Sequence, residues 1–318
     1  MRRIIIDTDT GADDAVALIM ALKSNDVKVE AITTVAGNVP LDLATKNALM
    51  CIEVADGQTP PLYVGAARPL FRDLVNSFGV HGHDGMGDRD LIHPTLKPEK
   101  GHAVDAIIEI VENNPGEIEL VTIGPATNIA LAILKAPETM KKVKHIYSMG
   151  TAGFGPGNTT PVAEFNVYVD ADAYSIVLKA GIPMTIIGFD LCGGEAAFNK
   201  EELDFLEAHV SPQADFITKC TNNLLKYNLK LTGDHIVDLA DAVAMGVVLW
   251  GDEIVKESKD CYCYTCTQEE AAYGQVILHD GSEYCIPESF WKYTPNATVV
   301  KTINNKLYKE KLIKIIIH

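Results

Sequence analysis

The chain has 318 residues, 47% hydrophobic and 22% charged, ordinary values for a folded globular protein that exclude collagen-like, coiled-coil, low-complexity and disordered classes. With 27 Lys and Arg against 43 Asp and Glu the net charge is −16, which disfavours a nucleic-acid partner and an anionic membrane surface. The expected substrate is a small neutral or cationic molecule, or one held through a metal.

Arg3 to Ile6 reads as a buried strand that runs into Asp7-Thr8-Asp9-Thr10-Gly11. Asp13 to Leu22 is helix material, Val27 to Ala36 a second strand, and Leu41 to Ala55 a helix with apolar residues at helical spacing. A short strand at Leu62 to Val64 precedes a loop rich in Gly, His and Asp from Asn76 to Asp90. Helix at Val104 to Val111 and strand at Ile118 to Ile123 follow, broken by Gly124-Pro125 before a helix at Thr127 to Leu134. Val143 to Met149 is a strand that ends in the Gly-rich loop Gly150 to Gly157. Helix and strand then repeat at Ala171 to Lys179 and Met184 to Ile187. Glu201 to Tyr227 reads as mostly helical with a break at Ser211-Pro212, and Leu239 to Leu249 as a helix of small residues. Cys261 to Val300 reads as strands with turns, closed by a helix near Asn305 to Ile315.

This alternation predicts an α/β fold: a single domain over 1–318 with an open, mostly parallel, Rossmann-like sheet flanked by helices, and a C-terminal strand and helix extension at 260–318 packed on it. Seven cysteines, an odd number, argue against a disulfide framework. The apolar run after Met1-Arg2-Arg3 is too short for a secretory core, and no stretch approaches the length of a membrane span, so a reducing cytoplasm is the expected location.

In such a sheet, ligands bind beyond the carboxyl ends of the strands. The segment Asp7 to Asp14 carries four carboxylates in eight positions at a strand–turn–helix junction. Like charges so close repel strongly, and although a helix N-terminus offsets part of this, a divalent cation offsets far more. Oxygen-only ligands favour Ca²⁺ or Mg²⁺ over zinc. Any one of these Asp residues could be a helix cap, a reading that does not extend to all four. The Asp-x-Asp after an apolar strand is also similar to the first motif of haloacid-dehalogenase-type phosphotransferases, with Asp7 as nucleophile and Mg²⁺ nearby, but Gly11 and the pair Asp13-Asp14 do not fit that motif.

The whole run Asp7-Thr8-Asp9-Thr10-Gly11-Ala12-Asp13-Asp14-Ala15 closely resembles the N-terminal signature of the nucleoside hydrolase family, with Thr10 in place of the usual Pro. The resemblance continues through Thr34-Val35-Ala36-Gly37-Asn38, His81-Gly82-His83-Asp84-Gly85-Met86-Gly87 and Gly124-Pro125-Ala126-Thr127-Asn128, and through Gly157-Asn158 to Glu164-Phe165-Asn166. It implies hydrolysis of the N-glycosidic bond of free ribonucleosides to ribose and base, serving salvage. It further implies one Ca²⁺ held by Asp9, Asp14, Asp241 and the Ile123 carbonyl, with Asp9 as general base. Asp13, Asn38, Asn158, Glu164 and Asn166 would bind ribose, Asp7 would orient the metal shell, and His81 would border the base. A homodimer or homotetramer is the assembly it implies. The metal would lower the pKa of a water that a neighbouring carboxylate deprotonates, and anionic and carbonyl oxygens would stabilise an oxocarbenium-like ribose.

One departure bears on mechanism. Many members have His-Asp-Pro where this chain has Ala240-Asp241-Ala242, so the imidazole that protonates the leaving base is missing. His235, His81 and His83 are candidate substitutes, and purine-preferring members stack the base between indoles, whereas Trp250 and Trp291 occupy no obvious pocket position. A non-catalytic ribose- or nucleoside-binding protein on the same scaffold is the alternative that this loss leaves open. Cys261-x-Cys263-x-x-Cys266, with Cys285, has near-zinc spacing, but Cys261 and Cys263 alternate on one strand face, where reduced thiols pack as small hydrophobes. His81-x-His83-Asp84 could hold a transition metal, though contact with substrate is the better expectation, and Gly150 to Gly157 lacks the Lys-Ser/Thr of a phosphate cradle.

Overall fold

In the computed structural model, which describes residues 1–282 and 294–317, β-branched and apolar runs form the strands β1 (Arg2–Thr8), β2 (Val27–Thr34), β3 (Leu62–Val64), β4 (Ile118–Thr122), β5 (His145–Met149) and β6 (Met184–Ile187). Then come β7 (Phe198–Asn199), β8 (Ile236–Val237), β9 (Val255–Thr265), β10 (Val276–His279) and β11 (Ala297–Ile303). Nine of them make one sheet in the order β10-β9-β11-β6-β5-β4-β1-β2-β3, and β7 and β8 pair separately. From β3 to β11 every neighbour in this sheet is parallel, and at the remaining edge β9 pairs antiparallel with both β11 and β10. The segment expected as an extension at 260–318 therefore contributes strands to the same sheet, and the antiparallel edge begins at Val255, ahead of Cys261.

Alternate residues of a strand face opposite sides, and β1 shows the consequence. Ile4 and Ile6 join the apolar layer of the helices Ala12–Lys23, Leu41–Ala55, Pro212–Cys220, Ala240–Ile254 and Asn305–Ile317. Ile5 joins the opposite layer, with the helices Ala103–Asn113, Thr127–Lys135 and Ala171–Leu178. Both faces are thus covered, which is why β1 reads as a continuous apolar run from Ile4 to Ile6. β4 is wholly buried although it contains Glu119, whose carboxylate takes ion pairs from Arg2 and Lys144.

The chain winds outward from β1 through β2 to β3, then crosses to β4 on the other side of β1. The carboxyl ends of β1 and β4 are consequently adjacent, with Asp7 opposite Thr122, at the point where the winding reverses. Such a switch point opens the crevice in which this architecture binds ligands.

The loop Asn76 to Asp90 contains a helical turn, Phe78–His81, and short helices at Pro137–Met140 and Phe165–Val169 were not legible in the sequence. The run Glu201 to Tyr227 is three helices, Lys200–Ala208, Pro212–Cys220 and Asn222–Thr232. Ser211 caps the second, its Oγ accepting from the Ala214 N–H at 3.0 Å with Pro212 in the first turn. Helix Ala240–Ile254 kinks at Trp250, which is buried at the end remote from Asp241, under Lys311. Cys261 and Cys263 are buried in the apolar layer, and among the described residues they join no convergent ligand cluster. Cys285 and Trp291 lie outside the described residues. No helix among the described residues is long and apolar enough to cross a membrane.

Candidate active site

β1 ends by delivering its acids one after another to the crevice. Asp7 Oδ1 accepts from Thr33 Oγ1 at 2.6 Å and from Asn128 Nδ2 at 2.8 Å, tying β1 to β2 and to the helix Thr127–Lys135. Its Oδ2 is buried without a partner, and burial pushes the carboxyl up to about 7. Thr10 uses the N–H that a proline would lack, donating to Thr8 Oγ1 at 3.2 Å. Thr8 Oγ1 in turn donates to Asp14 Oδ1 at 2.6 Å, and the Gly11 N–H donates to Asp14 Oδ2 at 2.8 Å. Asp14 thus closes the first turn of the helix and keeps its carboxylate in the crevice, where burial and then the charge of Asp13 raise it to about 7.

Asp9 sits in a slot made by two glycines. A Cβ on Gly37 would lie 2.1 Å from Asp9 Oδ2, and one on Gly124 would lie 2.8 Å from Oδ1. Asp9 Oδ2 accepts the Asn38 N–H at 2.6 Å, while Oδ1 is buried with no hydrogen-bond partner. Burial first, and then Asp14, push its carboxyl well above the usual range. The expected ligand set was Asp9, Asp14, Asp241 and the Ile123 carbonyl. The carboxylates whose oxygens lie within 4.8 Å of one another are Asp13, Asp14 and Asp241. Asp9 adjoins this trio, its carboxylate held back toward the Gly37–Asn38 turn by the Asn38 amide. The Ile123 carbonyl, at the end of β4, accepts from Asn166 Nδ2 at 3.1 Å.

Two full charges 4.8 Å apart at an effective dielectric of about 20 repel by roughly 3 kcal/mol, so three carboxylates cannot all ionise here unaided. Burial, followed by Asp13, Asp14 and Asp9, holds Asp241 well above the usual range. Among the described residues that line the pocket none is Lys or Arg. Partnerless buried oxygens on Asp9 and Asp13, added to this oxygen-only set, fit a hard divalent cation. Asp13, Asp14 and Asp241 converge closely enough to hold it, and Asp9 adjoins them.

The crevice opens into a pocket of about 670 Å³, mouth included. Asp13, Asn38, Asn158, Glu164, Asn166, His81 and Asp241 all line it, whereas Asp7 and Asp9 lie behind them. Asn38 donates its side-chain amide to Asp14 Oδ2 at 3.1 Å and accepts from Ser77 Oγ at 2.7 Å. Asn158, exposed at the mouth, accepts the Phe165 N–H at 2.9 Å. Glu164 caps the helix Phe165–Val169, accepting from the N–H groups of Asn166, Val167 and Thr151, and burial pushes it up to about 7. His81 accepts the Ala12 N–H at Nδ1, 3.3 Å away, at the N-terminus of the helix Ala12–Lys23. Burial lowers its pKa, which favours the neutral ring, and since Nδ1 accepts, the proton of that neutral ring sits on Nε2.

The other two histidines offered as substitute acids do not reach the site. His83 is exposed and stacks on Phe78, and His235 is exposed outside the pocket lining. Sequence reasoning missed Asp238, Asn228 and Tyr227, which also line the pocket, as do Leu224, Val80 and Phe189. The only available signal was an acid three residues ahead of Asp241.

With this geometry in place, similarity to known proteins is informative. The sequence pattern described as "Inosine-uridine preferring nucleoside hydrolase" matches residues 4–310. The chain belongs to that family. Its reaction class is the hydrolysis of ribonucleosides. An uncharacterised protein of Schizosaccharomyces pombe is 45% identical over 190 residues, 59% of this chain and 61% of that protein's length. A "Pyrimidine-specific ribonucleoside hydrolase RihA" of Shewanella sp. (strain MR-7) is 34% identical over 278 residues, 87% of this chain and 86% of that one. Among solved structures, "Plant nucleoside hydrolase - PpNRh1 enzyme" superposes with a TM-score of 0.90 at 28% identity, covering 99% of both chains.

Proposed function

We propose that this nucleoside hydrolase uses one Ca²⁺ and takes the proton from the attacking water with Asp9. The observation that carries this reading is the partnerless, buried Oδ1 of Asp9 beside the Asp13, Asp14 and Asp241 cluster. The cation would supply Lewis acidity, acidifying a water and polarising the ribose diol. Asp9 accepts the water's proton while its Oδ2 stays pinned by the Asn38 amide. Asp13, whose Oδ1 has no hydrogen-bond partner, accepts from the ribose 2′-hydroxyl. Asn38, Asn158, Glu164 and Asn166 orient the sugar, and Asp7 keeps β1, β2 and the helix Thr127–Lys135 in register behind the site. The pocket's acidic and amide oxygens stabilise the positive charge that develops on the ribose ring. The proposal places the enzyme in the cytoplasm as a homodimer or homotetramer.

The test is ribose release from a panel of purine and pyrimidine nucleosides, with and without a Ca²⁺ chelator. Turnover that chelation abolishes, and that Asp9→Asn lowers by at least about a thousandfold, supports the reading. Thermal stabilisation by nucleosides with no ribose released from any of them would establish the binding-protein alternative instead.

A further inference from the structure

Hydrolysis of a nucleoside requires a proton on the departing base as well as a nucleophile at C1′. Ala240 supplies none. Granting the hydrolase reading above, we propose that Asp238 donates that proton, from a carboxyl that Asn228 fixes at the base end of the pocket.

The pocket is lined by two kinds of side chain: the acids and amides assigned to the cation and ribose, and Val80, Phe189, Leu224 and Tyr227, which offer an apolar and aromatic wall suited to a planar base. Asp238 is tied to that wall. It lies between β8 and the helix Ala240–Ile254, and its Oδ1 accepts from Asn228 Nδ2 at 2.5 Å, one residue beyond Tyr227 on the helix Asn222–Thr232. Asn228 is 4% exposed and also donates to the Ile236 carbonyl at 3.3 Å, so its amide is committed to holding this turn. The titratable groups that act on Asp238 from neighbouring elements are Asp13, His81 and Cys192. Burial, the largest influence, raises Asp238 above the usual carboxylate range; the Asn228 hydrogen bond offsets part of this and the charge of Asp13 adds to it. His81 is the poorer proton source. Its Nδ1 is occupied by a helix N-terminal N–H, which leaves the lowered-pKa ring only an Nε2 proton that a neutral imidazole does not readily release.

As the C1′–N bond breaks, its electron pair stays on the base and the Asp238 proton moves to the base. Water oxygen bonds to C1′, its proton passes to Asp9, and exchange with solvent restores both carboxyls. The products are ribose and neutral base.

The experiment compares Asp238→Asn with wild type on a nucleoside and on p-nitrophenyl riboside, whose leaving group departs without a proton. The expected result is a loss of about 10²–10⁴ in kcat/KM on nucleosides, with the nitrophenyl riboside changed only a few-fold. The high-pH limb of the nucleoside profile should disappear with the acid. Asn228→Ser, which frees the carboxyl and keeps it, should show the same substrate split at smaller size and covers the case in which Asp238→Asn folds poorly. Equal losses on both substrates would make Asp238 a structural residue and overturn the proposal, as would undiminished nucleoside hydrolysis. Wild-type silence on both substrates would overturn the hydrolase reading itself, and this proposal with it.

Discussion

Replacing Gly37 by Ala tests the slot that holds Asp9. The added Cβ would start 2.1 Å from Asp9 Oδ2 and 2.8 Å from Cγ and Cδ of Pro125, where ordinary contact begins at 3.4 Å. Relief toward Pro125 is blocked by a rigid ring. Oδ2 must therefore retreat by about 1.3 Å, which breaks its 2.6 Å hydrogen bond from the Asn38 amide. Misplacing a reacting group by about 1 Å costs on the order of a hundredfold in rate, and overpacking a buried site costs about 1–3 kcal/mol. The entropy of unfolding scales with chain length to about 0.7 kcal/mol per kelvin here, so the second cost corresponds to a Tm drop of about 2–4 °C. The expected outcome is a folded variant whose kcat falls at least a hundredfold. Gly251→Ala, where a Cβ meets nothing within 4 Å, should keep wild-type turnover. Steady-state ribose release and differential scanning calorimetry read both quantities. A Gly37→Ala enzyme with kcat within twofold of wild type would refute the slot as the feature that positions Asp9.

Two further outcomes follow from the buried carboxylates. Ca²⁺ at a hundred times its Kd should stabilise the chelator-treated protein by about 2.7 kcal/mol, a Tm rise of about 4 °C. Asp241→Asn should raise the Tm in chelator, because one repelling carboxylate is gone from the cluster, and should abolish the Ca²⁺ shift; a shift undiminished in that variant would remove Asp241 from the ligand set. Glu164, raised to about 7 from an ordinary 4.5, keeps its proton in the folded chain over a pH range in which the unfolded chain releases it. The folded state then binds more protons, so stability falls as pH rises from about 4.5 to 7 and is level above that, a loss of about 3 kcal/mol. Urea unfolding of metal-free wild type and Glu164→Gln should differ by this slope, and parallel pH curves would sink the assignment.

The order of strands and helices was legible because central strands of a parallel sheet covered on both faces are nearly continuous apolar runs, as at Ile4 to Ile6 and, Glu119 apart, Ile118 to Val121. The acidic junction was legible too, since Asp7 to Asp14 crowd more like charge into one turn than capping requires. Together with the downstream motifs it determined the family and the reaction class. Within Glu201 to Tyr227 the break at Ser211-Pro212 was legible, but the one at Thr221 was not, because it carries no Pro or Gly.

Tertiary structure alone decided which of these groups meet. Asp241 joins Asp13 and Asp14 because its helix and the β1–helix junction converge on the same crevice, and no local spacing encodes that meeting. Asp9 stands back from the trio because the Asn38 amide, brought in from the end of β2, holds its Oδ2. His83 and His235 point to solvent while Asp238 lines the pocket, since a side chain's direction within a loop follows from what the loop packs against. Local sequence sets periodicity and capping, but the crossing from β3 back to β4 beside β1 brings distant carboxylates to one point, and that crossing is a property of the whole sheet.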